Sequence, residues 1–547
     1  MPNIKTFVTL CIQNRRNKTV VLLATLFLFL ASIAFIPLVW VKAKMLPEKN
    51  ANNFTIYVDL PNGSSINETK NVTDMIAEIL QKEQEITDVE VFLGTSSPLS
   101  FEGLVKGSGA KSGEHFAEIV VNLTKKHDRD EPSFLMVQRL RIAILNRLVT
   151  MSPNTTIKMV EPPAGPPVLA AVVAEIYGEN QKGIETLSNR VSEVFKHTDG
   201  LVDIDVLNDD SYDEYKLVFD YEKIKRYGLD INAITKLISL AFNGKVVATK
   251  NSKEYDTQLD LFLRMKQRSN TINDALMSLK IRSMSGALIA LKDIVHVKNV
   301  ANEKTLHFKN LSLMLNVVAQ TDMVSQIYPL LDARRYILDH FGDEYEVRTS
   351  HLLNLELTHK TTHEKYQLVW DGELKVTLDT FRDLGGAFIT ALILIFLLMV
   401  VYYKNFALSG IVLLSSFLSI IGVIIGHFMV DVITPHTFFL TATSLIGFIA
   451  LIGISSRNAL LLIDFTKQLI KEGVPKKEAI ITSTTIRAKP IFLTALAVIL
   501  ASTLLASDAV FGGLGVALIF GTIAAVIASL IVVPVLIDNI DESKLLI

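Results

Sequence analysis

Two charged residues interrupt a run that otherwise reads as lipid-buried helix: Arg457 and Asp464, within Gly453-Ile454-Ser455-Ser456-Arg457-Asn458-Ala459-Leu460-Leu461-Leu462-Ile463-Asp464-Phe465. A charge at membrane depth costs at least a few kcal/mol, so its presence marks a functional site by default. On a helix the two lie almost two turns apart, on one face and about 10 Å from each other along the axis, too far to pair. With the bilayer core centred near Leu451, Arg457 lies about 8 Å from the midplane and Asp464 near the cytoplasmic interface. Asp464 then reads as an interfacial residue. Arg457 either snorkels or faces the helix bundle, where Gly453 one turn away lets a neighbouring helix come close. An arginine keeps its proton in a protein, so Arg457 cannot carry one through a cycle, but it can be a fixed counter-charge for a carboxylate that does. The other apolar runs hold no mid-membrane carboxylate, so the chemistry is expected to be shared with another chain.

Other chemistry is thinly represented. The sequence contains no P-loop, no G-x-S-x-G elbow, no H-E-x-x-H and no G-x-G-x-x-G, so no enzyme is expected and transport would draw on an ion gradient or another subunit. His359 and His363 have the i, i+4 spacing that holds a metal on a helix, yet two solvated histidines in a polar juxtamembrane segment are the better reading. The methionines read as core packing, and no metal or cofactor is expected. The single cysteine, Cys11, excludes an internal disulfide and a thiolate cluster from this chain alone. A net charge of −2 without a long basic stripe argues against nucleic acid. The loop Thr95–Glu114, rich in Ser and Gly, carries Phe101 and Leu104 and reads as either a substrate-contacting loop or a plain surface tip.

The elements that must position these residues follow from periodicity. The chain has 547 residues, half of them hydrophobic, which requires membrane and soluble parts together. Thr19–Trp40 follows basic residues and is longer than a signal-peptide core, so it reads as a retained anchor. Further apolar runs at Leu384–Tyr403, Phe406–Val430, Phe438–Phe465, Pro490–Ala506 and Gly512–Ile537 make six spans in all. Lys and Arg collect before the first span, at Lys404 and between Lys467 and Lys489, which predicts cytoplasmic termini and a large external domain. In that domain strand-helix-strand patterns recur, giving an α+β domain of ferredoxin-like βαβ units. The expected division is a cytoplasmic stretch 1–18, a first transmembrane helix 19–41, a first subdomain 42–168 and a second at 169–214 and 301–355. An inserted subdomain 215–300, a juxtamembrane segment 356–383, transmembrane helices two to six at 384–537 and a cytoplasmic tail 538–547 complete it. Glu161-Pro162-Pro163-Ala164-Gly165-Pro166-Pro167 reads as a stiff linker.

Taken together these stretches resemble the C-terminal half of the multidrug branch of the resistance-nodulation-division (RND) superfamily of proton-driven exporters. Gly453 to Phe465 is similar to that half's signature helix. Arg487-Ala488-Lys489-Pro490-Ile491-Phe492-Leu493-Thr494 resembles the start of the next helix, and Val532-Val533-Pro534-Val535-Leu536 the end of the last. Met45-Leu46-Pro47-Glu48 with Leu60-Pro61-Asn62-Gly63-Ser64 resembles the beginning of the external domain. Phe219-Asp220-Tyr221-Glu222-Lys223 with Tyr227-Gly228-Leu229 resembles the beginning of its docking insertion. The resemblance implies porter subdomains, an inner-membrane location, a proton gradient as energy source, trimeric assembly, a periplasmic adaptor and an outer-membrane channel. It implies a proton relay drawn from Arg457, Asn458, Thr494, Lys489 and Asp464. Arg457 stands where a lysine is usual, Lys489 where an arginine is usual, and the usual aspartate pair of the other half is missing. The expected partner is therefore a separate N-terminal-half subunit carrying that pair, in a trimer of heterodimers that exports small amphiphilic molecules. Two alternatives stay open: a protein-export accessory like SecD or SecF, whose own signature acid Arg457 does not match, and a scaffold or sensor that does not transport.

Overall fold

The structure is a computed structural model that describes residues 2–98, 101–106, 111–253, 258–265, 279–434 and 437–545. Parts of the expected segments therefore lie outside the described residues: 99–100 and 107–110 of the loop with Phe101 and Leu104, 254–257 and 266–278 of the insertion, 435–436 between the third and fourth spans, and the ends of the chain. Described residues form two compact units, Asp209–Thr305 and the remainder.

The larger unit opens with α1 (Pro2–Gln13) and α2 (Arg15–Ala34). One face of α1 buries Val8, Cys11 and Ile12. A four-stranded antiparallel sheet follows, built from β1 (Asn53–Asp59), α3 (Ile66–Leu80), β2 (Ile86–Thr95), α4 (Phe101–Lys106), β3 (Ser112–Leu123), α5 (Ser133–Met151) and β4 (Thr156–Val160), in the order β2-β3-β1-β4. The period of two in β1 sends Phe54, Ile56 and Val58 to one face, where Ile76 and Leu80 of α3 and Leu140 and Ile144 of α5 cover them. Ser65 and Glu68 form a capping box that starts α3.

The second sheet begins with β5 (Val172–Tyr177), α6 (Gln181–Lys196) and β6 (Leu201–Val206). The smaller unit then supplies β7 (Asp213–Phe219), α7 (Tyr221–Arg226), α8 (Ile231–Phe242), β8 (Lys245–Lys250), β9 (Leu259–Leu263), β10 (Lys280–Arg282), β11 (Leu288–Ala290) and β12 (Val295–Ala301), around a core of Ile224, Ile234, Ile238 and Leu291. The sheet resumes with β13 (Phe308–Lys309), β14 (Ser312–Thr321), α9 (Ile327–His340), β15 (Tyr345–Ser350), β16 (Asn354–His359) and β17 (Lys365–Asp371), in the order β13-β14-β5-β17-β16-β15 with β6 on β14.

Here one expectation fails. The stretch read as a juxtamembrane segment from residue 356 is mostly sheet: Leu355, Leu357, Tyr366, Leu368 and Trp370 alternate inward, and β17 rather than β15 lies against β5. His359 ends a strand and His363 sits in the following turn at φ 57°, so the two never share a helix face. The period-two signal was present, but polar alternate residues masked it.

Six helices among the described residues are long and apolar enough to cross a membrane. After α2 they are α10 (Glu373–Tyr403), α11 (Phe406–Ile433), α12 (Ala442–Lys471), α13 (Lys476–Ala506) and α14 (Gly512–Ile527), which continues through a π turn (Ala528–Val532) into α15 (Val533–Asp538). Pro490 does not start a span as expected; it lies inside α13, whose first turns are made by Lys476, Glu478 and Ala479. The loop between the fourth and fifth spans is consequently short, and Lys489 is helical. The third, fourth and sixth spans form the interior, with half or more of their apolar windows buried, against 6%, 11% and 22% for α2, α10 and α13. Small residues allow this: a Cβ on Gly422 would lie 2.2 Å from the Phe520 carbonyl oxygen, and one on Gly447 2.7 Å from Ala517.

Candidate proton-relay face and the external cleft

Thr441 caps α12 by accepting from the Ser444 amide, while the Ser444 hydroxyl accepts from the Thr441 amide. From there the helix has two faces. Gly447, Leu451, Ile452, Ser455, Ala459 and Leu462 are buried, while Ile446, Ala450, Gly453, Arg457 and Leu461 form a stripe at i, i+4, i+7, i+11 and i+15 that the chain's own residues leave uncovered. Arg457 is exposed on that stripe and, among the described residues, makes no hydrogen bond or ion pair. A Cβ on Gly453 would meet nothing within 4 Å.

Asp464 is held differently. The hydroxyls of Tyr403 and Tyr402, at the end of α10, donate to its two oxygens at 2.9 and 3.2 Å. It therefore ties α12 to α10 and does not pair with Arg457, in keeping with the spacing. Asn458 is buried, about 100° round the helix from Arg457. On α13, Thr494 and Lys489 are exposed, the Thr494 hydroxyl donating to the Ile491 carbonyl at 3.0 Å. The five expected relay residues are thus not bonded into one cluster among the described residues. Of the two loop candidates, Leu104 lies on α4 at 60% exposure; Phe101 opens α4, and its side chain lies outside the described residues.

Sequence reasoning missed the polar seam between α11 and α12. Buried hydroxyls pair across it, Ser415 with Ser455 at 3.3 Å and Ser416 with Ser456 at 2.9 Å. Further along, the His427 imidazole donates from Nδ1 to the Val423 carbonyl and accepts at Nε2 from Ser444, both at 2.8 Å. The signal was available: three serines at 415, 416 and 419 in one span face two at 455 and 456 in the next. Arg487 was also overlooked; its guanidinium lies 4.8 Å from the Phe465 ring centre.

Outside the membrane segments the two sheets are tied across a cleft of about 150 Å³ lined by Phe134, Gln138, Arg141 and Glu161. Arg141 of α5 donates from Nε and Nη2 to Asp203 of β6 at 3.2 and 3.1 Å, Gln138 donates to Asp322 at 3.1 Å, and Lys158 pairs with Asp205. Burial pushes the Asp203 carboxyl up despite the Arg141 guanidinium. Glu161, in the Pro-rich linker, accepts from the Ser133 hydroxyl, and burial pushes it up to about 7.

With this geometry in view, the chain can be set beside known proteins. The sequence pattern of the AcrB/AcrD/AcrF family matches residues 5–540. The swarming motility protein SwrC of Bacillus subtilis (strain 168) is 23% identical over 538 residues, 96% of this chain and 46% of that protein. The nickel and cobalt resistance protein CnrA of Cupriavidus metallidurans is 23% identical over 381 residues, 68% of this chain and 33% of that one. A crystal structure of a heavy metal efflux pump superposes with a TM-score of 0.75 at 19% identity, covering 98% of this chain and 51% of the other. The chain therefore spans about half the length, or less, of the proteins it matches.

Proposed function

The chain belongs to the AcrB/AcrD/AcrF family of RND transporters, and on that premise we propose that it is the C-terminal-half subunit of a proton-driven efflux pump. The observation that carries the proposal is the uncovered stripe of α12, which presents Arg457 without a partner among the described residues. Lipid cannot solvate a guanidinium at that depth without a cost of a few kcal/mol, whereas a carboxylate from a facing helix can. A separate N-terminal-half subunit bearing the membrane aspartate pair supplies that carboxylate. As its protonation changes, the fixed positive charge of Arg457 alternately gains and loses a counter-ion, and the helices respond. Thr494 and Lys489 lie on the exposed surface of α13, Asn458 is buried behind Arg457, and Asp464 keeps α12 in register with α10.

The two sheets, with strand orders built from interleaved βαβ units, read as ferredoxin-like porter subdomains, and the unit Asp209–Thr305 as the docking insertion. The asymmetry of Lys and Arg supports cytoplasmic termini and a periplasmic external domain in the inner membrane. Assembly as a trimer of heterodimers with a periplasmic adaptor and an outer-membrane channel follows from the family reading. The cargo is a small amphiphile, a reading supported by apolar hollows in the external domain. Export of metal cations is a second reading, favoured by the likeness to CnrA.

Efflux assays test the proposal. In cells expressing both halves, Arg457→Ala lowers gradient-dependent efflux of a fluorescent amphiphile by more than about tenfold, the factor that 1.4 kcal/mol supplies, with unchanged membrane insertion. Arg457→Lys retains most of it. Unchanged efflux in Arg457→Ala would show that the residue only snorkels; efflux of Ni²⁺ without efflux of the amphiphile would move the assignment to the second reading.

A further inference from the structure

The corner between α1 and α2 holds cations that the chain does not balance. Lys5, Arg15, Arg16 and Lys18 all precede the first acidic residue of the sequence, Glu48. One of the four is answered from elsewhere: Lys18 pairs with Asp538 of α15, and Asp541 and Glu542 lie with Asp538 around Lys476. Lys5, Arg15 and Arg16 are exposed and, among the described residues, their side chains make no hydrogen bond or ion pair.

The helix before this corner has three sides. Val8, Cys11 and Ile12 are its buried stripe, sharing a core with Ile470 of α12, Ala479 of α13 and Ile537 of α15. At about 100° per residue, Phe7 and Leu10 fall on one flank of that stripe, and Lys5, Thr9 and Gln13 on the other. Phe7 and Leu10 are half-exposed. The backbone is extended at Asn14, and the Asn17 amide donates to the Leu10 carbonyl at 2.7 Å, which fixes the end of α1 to the first turn of α2. From there α2 runs along the perimeter of the bundle with Val20, Leu23 and Phe27 exposed, as a lipid-facing span requires. Arg15 and Arg16 therefore stand at headgroup level, and α1 is held at the same level. One side on protein, one apolar flank and one polar flank suit a helix lying in the membrane interface.

We propose that this corner binds an anionic phospholipid of the adjoining leaflet, with Arg15 and Arg16 taking the headgroup phosphate and Phe7 and Leu10 lying among the acyl chains. The planar guanidinium fork matches two phosphate oxygens at once. A zwitterionic headgroup brings its own cation to the corner, so the unbalanced arginines favour a lipid with net negative charge. Through the buried stripe of α1, a bound lipid steadies the ends of α12, α13 and α15. That this leaflet is the cytoplasmic one rests on the orientation read above; the binding does not.

The test is hydrogen exchange of the α1 amides, read by mass spectrometry on the full chain in nanodiscs of phosphatidylcholine alone or mixed with phosphatidylglycerol. Exchange is expected to be slower by about tenfold or more with phosphatidylglycerol. Arg15→Gln combined with Arg16→Gln is expected to remove that difference, while Lys5→Gln, on the polar flank, leaves it in place. Equal exchange in the two lipids, or a difference that survives the double variant, overturns the proposal. Equal loss in Lys5→Gln also overturns it, because a diffuse positive field is then enough. Inorganic phosphate slowing exchange as much in phosphatidylcholine would make this a free-anion site and overturn the lipid assignment. Should the double variant fail to insert, the wild-type comparison and Phe7→Ser decide: Phe7→Ser is expected to speed exchange in both lipids, and unchanged exchange contradicts the acyl-chain contact. Orientation is read separately from Gln13→Cys. Its labelling above the wild-type background by a membrane-impermeant maleimide in intact cells reverses the orientation and leaves the site standing, whereas protection without a lipid preference does the opposite.

Discussion

Arg457 differs from an ordinary interfacial cation in what surrounds it. Its stripe neighbours are Ala450, Gly453 and Leu461, two of them small, and a small-residue stripe beside a charge suits a facing helix better than lipid. Glu161 shows the opposite situation, an acid buried by its own chain. Its carboxyl ordinarily titrates near 4.5 and is pushed up to about 7, so the folded external domain prefers the protonated form. Stability from this residue is fully present below about pH 4.5 and is lost as pH rises through about 7, by up to about 3 kcal/mol. Thermal unfolding of the purified protein at pH 5 and pH 8 is expected to show that difference, and Glu161→Gln is expected to narrow it; an unchanged pH dependence would mean that Glu161 is ionised at little cost. Arg457 was legible in the sequence because a charge breaks an apolar run. The serine seam went unread although its serines stand in two neighbouring spans, because serine hardly changes hydropathy; Glu161 was not legible, because burial of an acid depends on segments far apart in sequence.

The six spans were legible from hydropathy alone, while their ends were not. Eleven residues of α10 precede Leu384, because a helix needs no apolar residues where it leaves the membrane for the sheet domain. Pro490 was expected to begin a helix and instead lies within one, since neighbouring helices can compensate a missing amide inside a bundle. Packing between α11, α12 and α14 leads to a contrast between two glycines. Gly422→Leu should destabilise the isolated chain by about 1–3 kcal/mol, since Phe520 leaves no room for a side chain. Gly453→Leu should leave the isolated chain's unfolding temperature unchanged and weaken only its association with the partner half. Equal loss of stability in both variants would show that the Gly453 stripe is not a docking face. Across the external cleft, Arg141→Ala leaves Asp203 buried without its counter-charge and is expected to cost about 3–5 kcal/mol, read as a lowered midpoint of denaturation.

Among the described residues, three long apolar helices are interior and three peripheral, and a four-stranded and a seven-stranded sheet stand apart from them, with the unit Asp209–Thr305 as a separate body. The order of one apolar span, a large sheet domain and five further apolar spans was visible in the sequence; the meander β16–β17 was not, because polar residues at 356, 358, 365 and 367 alternate with the inward ones and made the stretch read as a surface segment. In the proposed pump the α12 stripe is the place where this chain meets a second one. The most direct measurement is purification of the protein from its native membrane under mild conditions, followed by mass spectrometry of the intact complex. A co-purifying six-span chain with paired membrane aspartates in equal amount, lost in Gly453→Leu, is the expected result; a homogeneous assembly of this chain alone would contradict the proposed pump.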